Sequence, residues 1–123
     1  MFNKNFWKNK RVFVTGHTGF KGSWLSIWLK LLGAHVTGYS LKPNTNPSLF
    51  YLTNLGNYID KSYIKDVTNL SDLKKAIKSS KSTILFHLAA QPSVRHSYKT
   101  SYETVKTNIL GSANILEVLK GKS

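Results

Sequence analysis

The length and composition of this chain predict one small globular domain, because 123 residues suffice for a single core and 41% hydrophobic with 19% charged residues argue against disorder or coiled coil. Cysteine is absent, which excludes disulfides and thiolate chemistry, and no apolar run approaches the roughly 18 residues that span a bilayer, so we expect a cytoplasmic protein without a membrane partner. The net charge of +13 favours an anionic partner, but the lysines are dispersed along the chain, so we do not expect nucleic-acid binding. A missing acidic remainder of the protein is the alternative explanation for the positive charge.

The first 40 residues predict a strand, a helix and a second strand. Arg11 to Thr15 is a short β-branched run typical of a buried strand, and Phe20 to Leu32 has helical periodicity that Gly33 ends. Ala34 to Ser40 predicts the second strand. We expect the apolar side of this helix to face the core, namely Phe20, Trp24, Trp28 and Leu31. The opposite side, expected to face solvent, carries Ser23, Ser26 and Lys30.

The rest of the chain continues this alternation. Residues 41–57 contain two prolines and predict a long loop with room for a short helix over Ser48 to Asn54. The later predicted elements are a strand over Ser62 to Lys65, a helix over Leu70 to Ser79 capped by Asn69 or Ser71, a strand over Ser82 to His87, and a helix over Ser97 to Lys120 with an apolar stripe of Tyr98, Tyr102, Val105, Ile109, Ala113 and Leu116. The order predicts an α/β fold with a doubly wound, parallel, Rossmann-like sheet.

The junction between the first strand and the first helix carries three glycines spaced three residues apart, TGHTGFKG at residues 15–22. Such a junction needs a residue free to turn sharply, a backbone that lets a pyrophosphate approach the helix N-terminus, and a small residue against the sheet. Gly16, Gly19 and Gly22 fill these roles in that order. A strand before the loop and a helix after it are the context that dinucleotide binding requires.

The glycine spacing resembles that of the extended short-chain dehydrogenases/reductases, the family of nucleotide-sugar epimerases and dehydratases. Three later segments resemble family motifs: HLAAQ at 87–91, Asp66-Val67 after the third strand, and Thr107-Asn108. Within the family, VTGHTGFKG (14–22), GYSL (38–41), PSLF (47–50) and AAQPSVR (89–95) are most similar to the CDP-glucose 4,6-dehydratase group. The resemblance covers almost the whole chain, but only the N-terminal part of such an enzyme.

This resemblance implies an NAD-dependent lyase. The sugar C4 hydroxyl of a nucleotide sugar such as CDP-glucose is oxidised, water leaves across C5 and C6, and the hydride returns to C6. The implied catalytic Tyr-x-x-x-Lys pair follows a fifth strand, so we expect residues 1–123 to be a truncated NAD(P)-binding domain without a catalytic residue of its own, and inactive alone. Family members commonly form homodimers, which leaves that state open here. Other nucleotide-sugar dehydratases or epimerases, or a binding module without catalysis, are the alternatives.

Tyr102 and Lys106 have the spacing of that pair, but they precede Thr107-Asn108, whereas the family pair lies on a later helix. Tyr102 also shares the apolar stripe with Ile109, so we reject the pair as catalytic and expect a core-facing tyrosine. Asn108 resembles a helix asparagine that supports the active site in the family.

The resemblance assigns a set of cofactor contacts, namely Gly16, Thr18, Gly19, Phe20, Gly22, Ser40, Asp66, Val67, Leu88, Ala89 and Ala90. Asp66 is expected to accept from the adenine amino group, with a helix-entry cap as its alternative. Gln91 and Arg95 are candidate substrate contacts, although Arg95 is equally explained as a surface charge. The cofactor is expected to be NAD, while Lys42, near the place where NAD-binding domains usually carry an acidic residue, leaves NADP open.

Histidines and tryptophans also have alternative explanations. His17 either approaches the phosphate oxygens or faces solvent in the turn. His35 and His87 are expected to be packed or hydrogen-bonded within the domain, and no metal site is expected. Trp24 and Trp28 are expected in the core.

Overall fold

The computed structural model describes residues 4–43, 47–89 and 101–120. The strands are β1 (Arg11–Thr15), β2 (His35–Ser40), β3 (Lys61–Ile64) and β4 (Ile84–His87). The helices are α1 (Lys4–Trp7), α2 (Phe20–Leu31), α3 (Leu49–Leu52), α4 (Leu55–Tyr58), α5 (Leu70–Ser80) and α6 (Ser101–Leu119).

The four strands form one parallel sheet in the order β3-β2-β1-β4. Val14 lies opposite Gly38 on β2 and opposite Phe86 on β4, so β1 is a central strand with a neighbour on each side. The predicted α/β fold with a Rossmann-like parallel sheet is confirmed. All four strands end at the same edge of the sheet, and the described residues that directly follow them lie there.

Helices cover both faces of the sheet, since successive side chains of a strand point in opposite directions. The first apolar cluster lies on the side of α2, α3 and α4 and contains Val12, Val14, Leu29, Ala34, Val36, Phe50, Leu55 and Ile59. The second lies on the side of α5 and α6 and contains Phe13, Tyr39, Val67, Leu73, Ala76, Ile77 and Ile115. The sheet is therefore the middle of three layers.

The predicted orientation of α2 is wrong. Trp24 and Trp28 are 54% and 57% exposed, and Phe20 and Leu31 on the same stripe are also exposed, whereas Ser23 and Ser26 are fully buried. The two hydroxyls donate hydrogen bonds within their own segment, from Ser23 to the His17 carbonyl at 2.8 Å and from Ser26 to the Gly22 carbonyl at 2.7 Å. Small side chains whose polar atoms are satisfied locally let the helix approach the sheet closely, and this places the large side chains outside.

The predicted core stripe of α6 is also wrong over its described part. Ile109, Ala113 and Leu116 are exposed, while Asn114 and Ile115 are buried against the sheet side. The buried asparagine donates to the carbonyl of Val67 at 3.1 Å, which satisfies its amide in the interior.

The segment after β2 contains the two short helices α3 and α4 rather than one regular element, as its prolines predict. Ser48 caps α3 by accepting from the Tyr51 N–H. Further along, Asn69 is the cap of α5, which confirms one of the two predicted caps. In the part of the chain that the structure describes, no helix is both long enough and apolar enough to span a membrane.

Candidate functional site

The first glycine of the loop turns the chain at the carboxyl end of β1. Gly16 has φ +83°, and its N–H donates to the Tyr39 carbonyl at 2.9 Å. A Cβ at this position would lie 2.7 to 2.8 Å from backbone atoms of Leu88 and Ala89, which follow β4. Both the backbone conformation and the close approach of the β4 loop therefore require glycine, as the predicted sharp turn implies.

The other two glycines have different surroundings. A Cβ at Gly22 would overlap the Gly16 carbonyl oxygen and lie 2.9 Å from the His17 Cα. Gly22 therefore packs against the turn, whereas the sequence predicted that it packs against the sheet. At Gly19 the nearest atom, the Gly16 carbonyl oxygen, would be 3.5 Å away. The turn itself therefore does not need glycine at position 19.

The space beside Gly19 lies at the N-terminus of α2. Gly19 is the N-cap residue, with φ −77° and ψ 169°, and it gives the helix no side-chain cap. The first turn of α2 has no acidic side chain. A helix N-terminus without side-chain acceptors presents its backbone N–H groups and the positive end of its dipole to an incoming anion.

A hydrogen-bond network at the end of β1 holds the first two residues that follow β4, Leu88 and Ala89. The Thr15 hydroxyl oxygen accepts from the backbone N–H groups of Leu88 at 3.0 Å and Ala89 at 3.2 Å. It therefore donates its own hydrogen to Nδ1 of His87, 2.6 Å away. The His87 Nε2–H then donates to the Ser112 hydroxyl at 3.2 Å.

This network explains the chemistry of His87, which is packed within the domain as predicted. Burial lowers the pKa of His87, in keeping with a neutral ring that accepts at Nδ1. The histidine connects β1, the β4 loop and α6, and its role in the described structure is to hold these elements together. His35, the other histidine of that prediction, bonds through Nδ1 to the Asp60 carboxylate at 3.0 Å.

A second group of contacts connects the glycine loop to the ends of β2 and β3. The buried Thr18 hydroxyl donates to the Leu41 carbonyl at 2.7 Å and lies 2.9 Å from the Ser40 hydroxyl. One residue before Ser40 on β2, the Tyr39 hydroxyl donates to the backbone carbonyl of Asp66 at 3.0 Å. The predicted residues of the glycine loop, β2 end and β3 end are thus joined through direct bonds.

Asp66 is exposed, and its carboxylate oxygen Oδ1 accepts from the N–H of Thr68 at 2.9 Å and from its hydroxyl at 2.7 Å. These bonds fix the carboxylate in the turn that precedes α5 without making it the cap of that helix. The neighbouring Val67 side chain is buried, and a Cβ at Gly111 of α6 would lie 2.8 Å from it. The Val67 side chain therefore faces α6, and its carbonyl accepts from Asn114 of the same helix.

Neither predicted position of His17 is correct. The side chain is fully buried, with Nε2 2.7 Å from the Ser62 hydroxyl and the ring edge-to-face against Phe50 at 5.4 Å between centroids. Burial lowers the pKa of His17 to about 4. A neutral ring below the loop cannot offer the phosphate a positive charge at neutral pH.

Several predicted site residues lie outside the described residues, namely Ala90, Gln91 and Arg95. Tyr102 and Lys106 belong to α6, but the orientation of their side chains lies outside the description, so the rejected pair is judged by sequence position alone. Asn108 lies on α6 and is half-buried. Lys42 is exposed beyond the end of β2. Among the described residues, no three His, Asp or Glu side chains lie together in a group that could hold a metal ion.

Two residues of the site were missed in the sequence. The sequence pattern identifies Thr15 only as the last residue of a strand, although a hydroxyl next to Gly16 is well placed to bind the backbone that follows a neighbouring strand. Gly38 lies inside a β-branched strand, where glycine often marks a close approach by another group. That local signal was available, but the identity of the approaching group was not.

The parallel sheet, its glycine turn and the loops gathered at one edge define the N-terminal part of a Rossmann-like domain. The chain belongs to the GDP-mannose 4,6-dehydratase family, whose family model matches residues 13–122.

Similarity to curated proteins extends over nearly the whole chain. It is 51% identical over 120 residues to the CDP-glucose 4,6-dehydratase of Salmonella typhimurium, a match that covers 98% of this chain and 33% of that protein. It is 34% identical over 115 residues to UDP-glucuronate 4-epimerase 1 of Arabidopsis thaliana, over 89% of this chain and 26% of that protein. The chain thus spans about a third or less of the length of these relatives.

Solved structures share the fold. The UDP-glucose 4-epimerase of Thermotoga maritima, determined with UDP-glucose, matches with a TM-score of 0.74 and 28% identity over 88% of this chain and 33% of that one. The UDP-glucose-4-epimerase of Stenotrophomonas maltophila, determined with bound NAD, has a TM-score of 0.77 and 22% identity over 91% of this chain and 34% of that one. At that identity the second match supports the fold alone.

Proposed function

We propose that this chain is the cofactor-binding part of an NAD-dependent CDP-glucose 4,6-dehydratase. The observation that carries the proposal is the open helix N-terminus beside Gly19, on a chain that is 51% identical to the Salmonella enzyme. The loop needs glycine for its turn at Gly16 but not at Gly19, so the space beside Gly19 is open to a group from outside the protein. A pyrophosphate on the α2 N-terminus is the group that explains it.

The residues present fit such a cofactor. The backbone around Gly19 and Phe20 would hold the pyrophosphate, and Ser40 and Asp66, at the ends of β2 and β3, would take the adenosine. The backbone after β4 would border the other half of the cofactor through Leu88, Ala89 and Ala90, with Gln91 and Arg95 toward the substrate. NAD, when bound, would supply the acceptor and donor of the hydride that the sugar loses and regains.

The chain's own residues have a positioning role in this reaction. The Thr15 hydroxyl accepts from the backbone N–H groups of Leu88 and Ala89, so these two residues are held in place before a ligand arrives. The bond network between Thr18, Ser40 and the Leu41 carbonyl does the same for the adenosine side. Groups ordered in advance lose less entropy when the cofactor binds.

The 123 residues alone are proposed to lack dehydratase activity. A Tyr-x-x-x-Lys pair on a later helix is the acid–base machinery that the resemblance implies, and Tyr102 and Lys106 on α6 do not substitute for it. Incubation of the chain with NAD and CDP-glucose, followed by the alkaline absorbance of a 4-keto sugar, should show no turnover. Turnover that Tyr102→Phe abolishes would reverse this assignment.

Isothermal titration calorimetry tests the proposed function. We expect NAD to bind and NADP to bind more weakly, because the resemblance to the CDP-glucose 4,6-dehydratase group implies NAD as the cofactor. Gly19→Val should abolish binding while circular dichroism stays unchanged. Tighter binding of NADP would assign Lys42 to the extra phosphate. Absence of dinucleotide binding together with salt-sensitive binding of DNA would replace the proposal with nucleic-acid recognition through the +13 charge.

A further inference from the structure

We propose that His17 is a positioning residue for the cofactor, and that Gly38 is glycine because the His17 ring occupies the place of its side chain. The proposal rests on the proposed binding of NAD and adds a role for two residues that do not touch it. Their function is to set the distance between the glycine loop and the ends of β2 and β3.

The carrying observation is a contact between residues 21 positions apart in sequence. A Cβ built on Gly38 would lie 2.7 Å from Nδ1 of His17 and still closer to Cγ and Cδ2 of the same ring. No ordinary side chain at position 38 can coexist with that ring position. Gly38 is in the middle of β2, has no positive φ, and needs glycine for no reason of backbone conformation.

The ring is held on its other sides as well. Nε2 is 2.7 Å from the Ser62 hydroxyl on β3, and the ring packs edge-to-face on Phe50 of α3. The backbone carbonyl of His17 accepts from Ser23 of α2 at 2.8 Å. One residue of the glycine loop thus contacts β2, β3, α2 and α3.

The hydrogen bonding identifies the form of the ring. Nδ1 is buried without a hydrogen-bond partner among the described residues. An unpaired lone pair costs less than an unpaired N–H, so Nε2 carries the hydrogen and donates it to Ser62. Burial keeps this ring neutral at physiological pH, so it acts through shape and one hydrogen bond, not through charge.

The position of the ring has a consequence for the ligand. Thr18, the next residue, bonds to Ser40 and to the Leu41 carbonyl at the end of β2. A shift of His17 away from β2 would therefore separate the α2 N-terminus from the residues proposed to hold adenosine. A ligand that spans both sites would lose affinity, while a ligand that uses only the adenosine side would lose little.

A double-mutant cycle tests the coupling. Gly38→Ala should weaken NAD binding about tenfold, because the new methyl group displaces the ring, and His17→Ala should weaken it by a similar factor. With His17→Ala already present, the space is open, and adding Gly38→Ala should cost less than twofold. Ser62→Ala, which removes the hydrogen bond but not the packing, is the milder variant and should cost about threefold.

A split between ligands distinguishes positioning from general loss of structure. NAD affinity is measured by calorimetry and adenosine affinity by NMR titration, with each variant at a temperature where circular dichroism shows it folded. Adenosine affinity should stay within twofold in all variants. Parallel losses for NAD and adenosine, or an equal cost of Gly38→Ala with and without the histidine, would overturn the proposal.

A measurement on the unmodified chain keeps the proposal testable if His17→Ala does not fold. Nitrogen-15 NMR should show the His17 ring neutral at pH 5.5 with its hydrogen on Nε2, and a charged ring or the other tautomer would contradict the proposal. Failure of the unmodified chain to bind NAD at all would refute the proposed function, whereas NAD binding with an additive cycle would refute only the role of His17 and Gly38.

Discussion

Replacing Gly19 with serine should make the protein more stable and its cofactor binding weaker. The backbone of Gly19, at φ −77° and ψ 169°, already has the extended conformation of an N-cap residue. The serine Cβ would meet only the Gly16 carbonyl oxygen, at an ordinary contact distance of 3.5 Å. Its hydroxyl could then accept from an N–H of the first turn of α2, which has no side-chain cap of its own.

The magnitude follows from two contributions. A serine cap in place of glycine contributes a few tenths of a kcal/mol, and removal of glycine from the unfolded chain contributes about 0.4 to 1 kcal/mol. Gly19→Ser should therefore raise the free energy of unfolding by about 0.6 to 1.4 kcal/mol. For a domain of this size the Tm should rise by roughly 2 to 5 °C.

The same hydroxymethyl group fills the space proposed for the pyrophosphate and competes for its N–H donors. We expect NAD affinity to fall at least tenfold, which corresponds to about 1.4 kcal/mol. Thermal melts and calorimetric titration with NAD measure the two effects on the same samples. The matched control is Gly16→Ser, which should lower stability by about 2 to 4 kcal/mol because of the positive φ and the contact with the β4 loop. Wild-type affinity for NAD in a folded, stabilised Gly19→Ser protein would refute the reasoning.

Three further outcomes are expected. Thr15→Val should lower the free energy of unfolding by about 1 to 3 kcal/mol in urea titrations. The Ala89 N–H then loses its acceptor and His87 Nδ1 loses its donor, whereas the Leu88 N–H keeps its bond to the Thr15 backbone carbonyl. Thr15→Ser should restore most of the loss, and equal stability of all three proteins would contradict the network. The free energy of unfolding should fall as the pH drops from about 6.5 to about 4, because His17 binds a proton near pH 6.5 in the unfolded chain but only near pH 4 when it is buried. Urea titrations at pH 7 and pH 5 measure this change, and equal stability at both pH values would contradict it. Iodide should strongly quench the fluorescence of Trp24 and Trp28, because both side chains are exposed. A Trp7→Phe variant, which carries only these two tryptophans, measures this directly, and fluorescence protected from iodide would mean that the outer side of α2 is covered.

The strands and the glycine turn could be predicted from local sequence. A β-branched run such as Arg11 to Thr15 favours the extended backbone, and the strand found there has the same bounds as predicted. Gly16 at the end of that run signals a residue with positive φ, which the structure contains. These features depend on neighbours within a few residues, so the sequence alone carries the information.

The orientation of the helices could not be predicted in the same way. Periodicity places Trp24 and Trp28 on one side of α2 and Ser23 and Ser26 on the other, but it does not tell which side meets the sheet. Hydrophobicity favours the tryptophans as the buried side. The serines can be buried because their hydroxyls bond to carbonyls of their own segment and because they are small enough for close packing. The stabilisation from that close packing exists only once the helix lies on the sheet.

The sequence by itself therefore determined the chain order of the four strands and of α2, α5 and α6, the parallel sheet, and the loop at which an anion is expected to bind. Each of these follows from the conformational preferences of adjacent residues, whereas the short helices α1 and α4 were not predicted. Only the tertiary structure decided which helix face is buried and that His17 lies beneath the glycine loop. The histidine fits there because Gly38, 21 residues away, has no side chain, and Ser62 on a third strand supplies the hydrogen-bond partner. Contacts of this kind depend on the packing of distant segments, which no local pattern of residues encodes.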